Sequence, residues 1–149
     1  MAANAYAAFT RQANISSVLV TAANTSSQGG GTIATDIFKA WTADATNGSW
    51  LDNIVVAPTA SVANTATAAT VARIFISTVT SGATTSSNTY LVYTLQLPSI
   101  TADSSSNAEN IYRIPLGWWV PASNTVLVTN HAAPNANTAW RFTAFGGDY

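Results

Sequence analysis

Residues 90–97 read Tyr-Leu-Val-Tyr-Thr-Leu-Gln-Leu and stop at Pro98. Successive side chains on a strand point to opposite faces. On that period Leu91, Tyr93, Leu95 and Leu97 share one face, and Tyr90, Val92, Thr94 and Gln96 share the other. Alternation over eight residues, closed by a proline and preceded by the polar loop 81–88, predicts a β-strand.

The same grammar runs outward in both directions. Upstream, 71–79 (VARIFISTV) is a β-branched and aromatic run that predicts another strand, with the Ala/Thr/Asn-rich stretch 59–70 before it read as a loop. Further back come strands at 15–21, 37–42 and 50–57, with Pro58 expected to stop the last. Asn47-Gly48 lies between two of them and predicts a two-residue hairpin, because both residues tolerate positive φ. The stretch 24–31 (NTSSQGGG) reads as a turn-rich loop. Downstream, 99–110 is a Ser/Asn/Asp loop and 111–114 a short strand broken by Pro115. Residues 115–121 (PLGWWVP) read as a rigid aromatic crossing segment, followed by strands at 125–130 and 139–145. No segment after residue 13 has a helical pattern. About eight short strands with polar connections predict an all-β fold, an antiparallel β-sandwich that is jelly-roll-like. An immunoglobulin-like sandwich is the alternative; the cysteine pair of antibody domains is missing. The expected organisation is an N-terminal arm at 1–13, Ala-rich with Tyr6, Phe9 and Arg11, and a single sandwich domain at 14–149.

Composition narrows the function. A chain of 149 residues suits one domain with a self-sufficient core. Charged residues make up only 7%, against about 25% in ordinary globular proteins. Charge keeps free monomers apart, so a surface this neutral suggests coverage by partners. With no cysteine there is no disulfide framework, thiolate nucleophile or Cys-based metal site. The first six residues lack the basic and apolar regions of a signal peptide. No run approaches the ~20 apolar residues of a membrane helix. Five basic residues, scattered along a chain of net charge −1, argue against a nucleic-acid surface.

The search for chemistry yields little. His131 stands in the loop 130–134 without a recognisable nucleophile elbow elsewhere, and reads as a solvated loop histidine rather than a general base. Asp36, Asp44, Asp52, Asp103, Glu109 and Asp148 are dispersed, with no D-x-D cluster. Asp44 and Asp52 flank the expected hairpin, where capping and turn bonding are the favoured roles. Gly29-Gly30-Gly31 is not followed by G-K-[ST], so it supplies flexibility rather than a phosphate cradle. Sequons begin at Asn14, Asn24 and Asn47, as chance provides in an Asn/Ser/Thr-rich chain. No catalytic residue, cofactor site or metal site is assigned, and the chain reads as a non-enzyme.

The aromatic residues carry more information. Trp41, Phe75, Tyr93, Trp140 and Phe142 lie in strands and are assigned to the core. Trp118 and Trp119 are consecutive, so in an extended segment only one can point inward. The other is a candidate for a protein contact or a sugar-stacking platform. Arg73 and Arg113 sit in apolar strands and are expected to be paired or snorkelling.

Five stretches together resemble small tailed-phage virion proteins, specifically capsid cement (decoration) proteins. They are TDIFKAWTAD…NGS at 35–49, VARIFI at 71–76, Leu-Pro at 97–98, IPLGWWVP at 114–121 and WRFTAFGGDY at 140–149. The likeness covers most of the chain after residue 30, and departs where Trp118-Trp119-Val-Pro replaces a simpler Pro-x-Gly-Trp. It implies a virion protein made in the host cytoplasm and placed on the outer capsid surface. There a homotrimer would bind the major capsid protein and clamp neighbouring subunits, without nucleic acid, membrane or cofactor. The candidate interface residues are Tyr6, Phe9, Arg11, Trp118, Trp119 and Tyr149. The arm is expected to order on a capsid subunit or a neighbouring protomer. The alternative is a receptor- or glycan-binding module of a phage fibre or tail, with Trp50, Trp118 and Trp119 as stacking surfaces.

Overall fold

The structure, a computed structural model, describes residues 12–102 and 111–149. Its described residues form twelve strands: β1 (Gln12–Val20), β2 (Gly31–Thr32), β3 (Phe38–Thr42), β4 (Ser49–Ala60), β5 (Thr65–Ala66), β6 (Thr70–Ser77), β7 (Ala83–Thr84), β8 (Thr89–Leu97), β9 (Thr101–Ala102), β10 (Tyr112–Val120), β11 (Thr125–Asn130) and β12 (Thr138–Asp148). Eight are long and make two four-stranded sheets, ordered β1-β12-β4-β10 and β3-β11-β6-β8. The short strands pair as β2-β7 and β5-β9, and every ladder between named strands is antiparallel.

Connectivity follows one rule. Among the long strands the first pairs with the last, β1 with β12, and the second with the seventh, β3 with β11. The third pairs with the sixth, β4 with β10, and the fourth with the fifth, β6 with β8. The chain is thus one long antiparallel ribbon doubled over itself, successive rungs falling alternately in the two sheets. An immunoglobulin sandwich sets its first two strands in one sheet; here β1 and β3 lie in different sheets.

The two inner faces meet in one core. Val20, Leu51, Ile54, Val56, Ile114, Trp140 and Phe142 come from the first sheet, and Phe38, Ala72, Ile74, Val126 and Val128 from the second. Trp41, Phe75, Trp140 and Phe142 are buried as their strand positions predict. A smaller cluster of Ile37, Phe75 and Leu127, with Ile33 against it, covers the back of the second sheet.

Several local expectations are corrected. Asn47-Gly48 does not close a hairpin: β3 and β4 belong to different sheets, and the turn carries the chain across. Asp44 organises it, its Oδ1 accepting the backbone N–H groups of Asn47 (2.8 Å) and Thr46 (2.9 Å). Glycine is required at 48, where φ is +77° and a Cβ would lie 2.6 Å from the carbonyl oxygen of Val120. Pro58 does not stop β4; it lies inside that strand, past the last residue paired with β10, where no ladder needs its missing N–H. Pro115 likewise does not break a strand, because β10 is a sheet edge that tolerates proline, so 115–120 continues the strand rather than crossing. The alternation of 90–97 holds only in part. Val92 has no counterpart on β6, since Tyr93 pairs with Ile74 and Leu91 with Phe75. That bulge turns Leu91 to the face opposite Tyr93 and Leu95. Tyr93 is not a core residue; it is 38% exposed. Gln12 and Ala13, assigned to the arm, are the first residues of β1.

Candidate functional site

The outer face of the β1-β12-β4-β10 sheet carries one of two groups of exposed large apolar side chains among the described residues. Register places them in rows. Ala13, Gly147, Trp50 and Trp119 lie side by side across the four strands. Ile15, Phe145, Asn53 and Pro115 form the next row, followed by Ser17, Thr143, Val55 and Arg113. Ile15 is 65%, Trp119 54% and Trp50 38% exposed.

Backbone geometry puts the tryptophans there. In β10 the in–out alternation is unbroken from Ile114 to Val120, through Gly117 at φ +61° and a register shift against β4 between Pro115 and Trp118. Trp118 therefore faces inward, half-buried against the core, and Trp119 outward, opposite Trp50. On the other side of Trp50, β4 bulges at Asp52, so Phe145 pairs with Asn53 and Gly146 with Leu51. The backbones close tightly at that point: a Cβ on Gly146 would collide with the Trp50 carbonyl oxygen.

Charge on this face is sparse. Arg113 and Asp52 approach at 3.8 Å with both side chains largely exposed, a geometry worth at most about 1 kcal/mol. Arg141 donates to the Ser17 hydroxyl at 3.3 Å. At the margin the Asp148 carboxylate accepts from Asn14 Nδ2 (3.2 Å) and from the Ser49 hydroxyl. Tyr149, a candidate interface residue, is half-buried and held by its backbone to Asn47 and Gly48. Tyr6, Phe9 and Arg11 lie outside the described residues.

The remaining singled-out residues have local partners. Arg73 is 9% exposed and donates to the Asn24 carbonyl oxygen and to Nδ1 of His131, each at 3.2 Å. A guanidinium only donates, so Nδ1 is the acceptor in this contact. The contact ties the loop after β1 to the loop after β11. His131 itself is exposed. Asn24 is buried, its side chain donating to Gly30. Asp44 and Asp52 have separate roles, one capping a turn and one facing Arg113. The Asn47 and Thr46 N–H groups hold the Asp44 carboxyl below its ordinary range. Among the described residues no three His, Cys, Asp or Glu side chains converge as a metal site.

Sequence reasoning missed a second exposed region. Tyr90, Leu91, Val92 and Tyr93 of β8 are consecutive and all exposed, at the edge of the second sheet. One signal was present: both faces of that strand carry large apolar side chains, as an edge open on two sides does. Compared with protein-family models, curated proteins and solved structures, the chain matches none.

Proposed function

We propose that this chain is a structural virion protein that sits on the outer surface of a phage capsid, binds the major capsid protein and staples neighbouring shell subunits. The observation that carries this reading is the outer face of the first sheet, where Trp50, Trp119 and Ile15 stand exposed beside the Arg113–Asp52 ion pair. Contiguous exposed apolar surface marks an interaction site, and tryptophan is enriched among residues that dominate interface energy. The motif likeness to cement proteins and the low charge point the same way. The nested pairing of the eight long strands supports reading the sandwich as a jelly roll.

Such a protein needs no covalent chemistry. Bound where shell subunits meet, it adds interface area and raises the free energy of separating them. A homotrimer multiplies a modest contact by avidity. The arm, with Tyr6, Phe9 and Arg11, belongs to the same proposal as a contact to a neighbour.

The test combines native mass by light scattering with co-sedimentation on empty phage shells. The expected mass is a multiple of three 15.5 kDa chains. Trp119→Ala is expected to keep its fold and lose at least roughly tenfold in shell affinity, as a hot-spot truncation does. Full shell binding by a folded Trp119→Ala variant would remove this face from the interface. A second reading rests on Trp50 standing opposite Trp119: two neighbouring indoles suit a glycan-stacking surface. Glycan-array binding lost in Trp119→Ala, with no shell binding in the parent, would favour it.

A further inference from the structure

Asn47-Gly48 has no part in the proposed role, and it is the one Asn-Gly pair in the chain. Asparagine is a thermolabile residue, because its carboxamide carbon is open to attack by the backbone nitrogen of the residue that follows. Glycine in that place has no Cβ to shield the nitrogen and little restriction on φ. The fold holds both reacting groups. The Gly48 N–H donates to the Asp44 carbonyl oxygen at 3.2 Å, and the Asn47 N–H to Asp44 Oδ1 at 2.8 Å. The carboxamide donates from Nδ2 to the Tyr149 main-chain oxygen at 3.2 Å, and the Tyr149 N–H donates to the Gly48 carbonyl oxygen at 3.3 Å. Ser49 braces the arrangement: its hydroxyl accepts from the Asp44 N–H at 2.9 Å and donates to the Asp148 carboxylate. Asn47 is thus pinned by its own turn and by the end of β12, and strand ends open at low cost in free energy.

We propose that Asn47 is a deamidation site gated by this turn and the end of β12. When Tyr149 and the turn open together, the Gly48 nitrogen is free to attack Asn47 Cγ. The N–Cγ bond forms, the Cγ–Nδ2 bond breaks, and the Gly48 amide proton leaves with the nitrogen as ammonia. Water then opens the cyclic imide at either carbonyl, leaving aspartate or isoaspartate at 47. The product does not fit back. A carboxylate has no proton to give the Tyr149 oxygen, and it stands as a second anion beside Asp44. Isoaspartate also adds one carbon to the main chain before Gly48, where a Cβ would already lie 2.6 Å from the Val120 carbonyl oxygen. That same Cβ would lie 3.1 Å from Trp119 Nε1, so the site borders the tryptophan face. Conversion adds one negative charge there, taking the formal net charge from −1 to −2. The chemistry does not depend on a capsid role.

The experiment follows amide-to-acid conversion by peptide mass spectrometry after warm incubation at mildly alkaline pH, on the folded chain and on the chain in urea. Asn47 is expected to convert in urea, and more slowly in the folded chain by roughly tenfold or more, since the reaction waits on local opening. Asp44→Ala removes the acceptor of the Asn47 N–H and is expected to raise the folded-state rate at least roughly threefold, with circular dichroism as the check on folding. If Asp44→Ala loses its fold, Ser49→Ala, which cuts the brace to Asp148, takes its place. Asn47→Asp, the direct product, is expected to speed hydrogen exchange of the Tyr149 amide by at least roughly threefold. Conversion at other asparagines in urea but not at Asn47 overturns the site. Equal rates in the folded chain and in urea, an unchanged rate in the folded variant, or unchanged Tyr149 exchange in Asn47→Asp overturns the gate.

Discussion

At the scale of single residues, the chain uses its few ionisable groups to hold backbone. Arg73 spends its guanidinium on a carbonyl oxygen and an imidazole rather than on a carboxylate. Asp44 caps the turn that carries the chain from one sheet to the other. Its pKa is lowered first by the Asn47 N–H and then by the Thr46 N–H. A carboxyl depressed in the folded state binds its proton more weakly there than in the unfolded chain. It therefore contributes stability above the unfolded value near 3.8, and that contribution is lost as pH falls through the lower folded value. Asp44→Asn keeps an acceptor and removes the charge. The expected result is a melting temperature below the parent's at pH 7, with the gap closing as both are titrated below pH 3.8. A gap independent of pH would show that the cap acts by geometry alone. The capping role of Asp44 was legible in sequence and is observed; the crossing turn it serves was not.

At the scale of elements, what could be read was the strand and what could not was its neighbour. β11 was placed at 125–130 and is observed at Thr125–Asn130, because an apolar β-branched run between turn residues is a local signal. Prolines misled for the opposite reason. Pro58 and Pro115 are forbidden only where a ladder needs their N–H, and which side of a strand is unpaired is a tertiary fact. The bulge at Val92 left no trace because both faces of β8 are apolar, so inverting them changes nothing in the pattern. The alternation of Trp118 and Trp119 was legible, yet their phase was not: it is counted from Ile114 through Pro115, where the strand was expected to break, and past Gly117 at φ +61°. Gly117→Ala forces an L-residue into the left-handed region, at a cost of about 1–2 kcal/mol. Its nearest outside neighbour would be the Trp50 ring at 3.6 Å, an ordinary contact, so the expected loss is conformational and not steric. Urea unfolding is expected to show a lower midpoint with an unchanged slope. An unaltered midpoint would mean that the bend in β10 does not depend on glycine.

At the scale of the whole molecule, the pairing of distant segments creates what no window of sequence contains. Trp50 and Trp119 meet only because the third and sixth long strands lie side by side, and Ile15 joins them through β12. Low charge was visible from the start; the concentration of exposed apolar area on one sheet face was not. The two facts together make a distinct prediction about association. If the face formed by Trp50, Trp119 and Ile15 carries binding, its free energy comes mainly from apolar area withdrawn from water, at about 25 cal/mol per Å². That term is not screened by salt, and strongly hydrated anions strengthen it. Ionic contacts behave oppositely, since the screening length shrinks from about 10 Å at 0.1 M to about 3 Å at 1 M. The charges on this face are the exposed Arg113–Asp52 pair and Arg141, too few to set the affinity. Shell affinity measured by co-sedimentation is therefore expected to change by less than roughly threefold between 0.1 and 1 M sodium chloride. A fall of a hundredfold would assign the binding to charged groups elsewhere on the chain, and the tryptophan face would lose its claim.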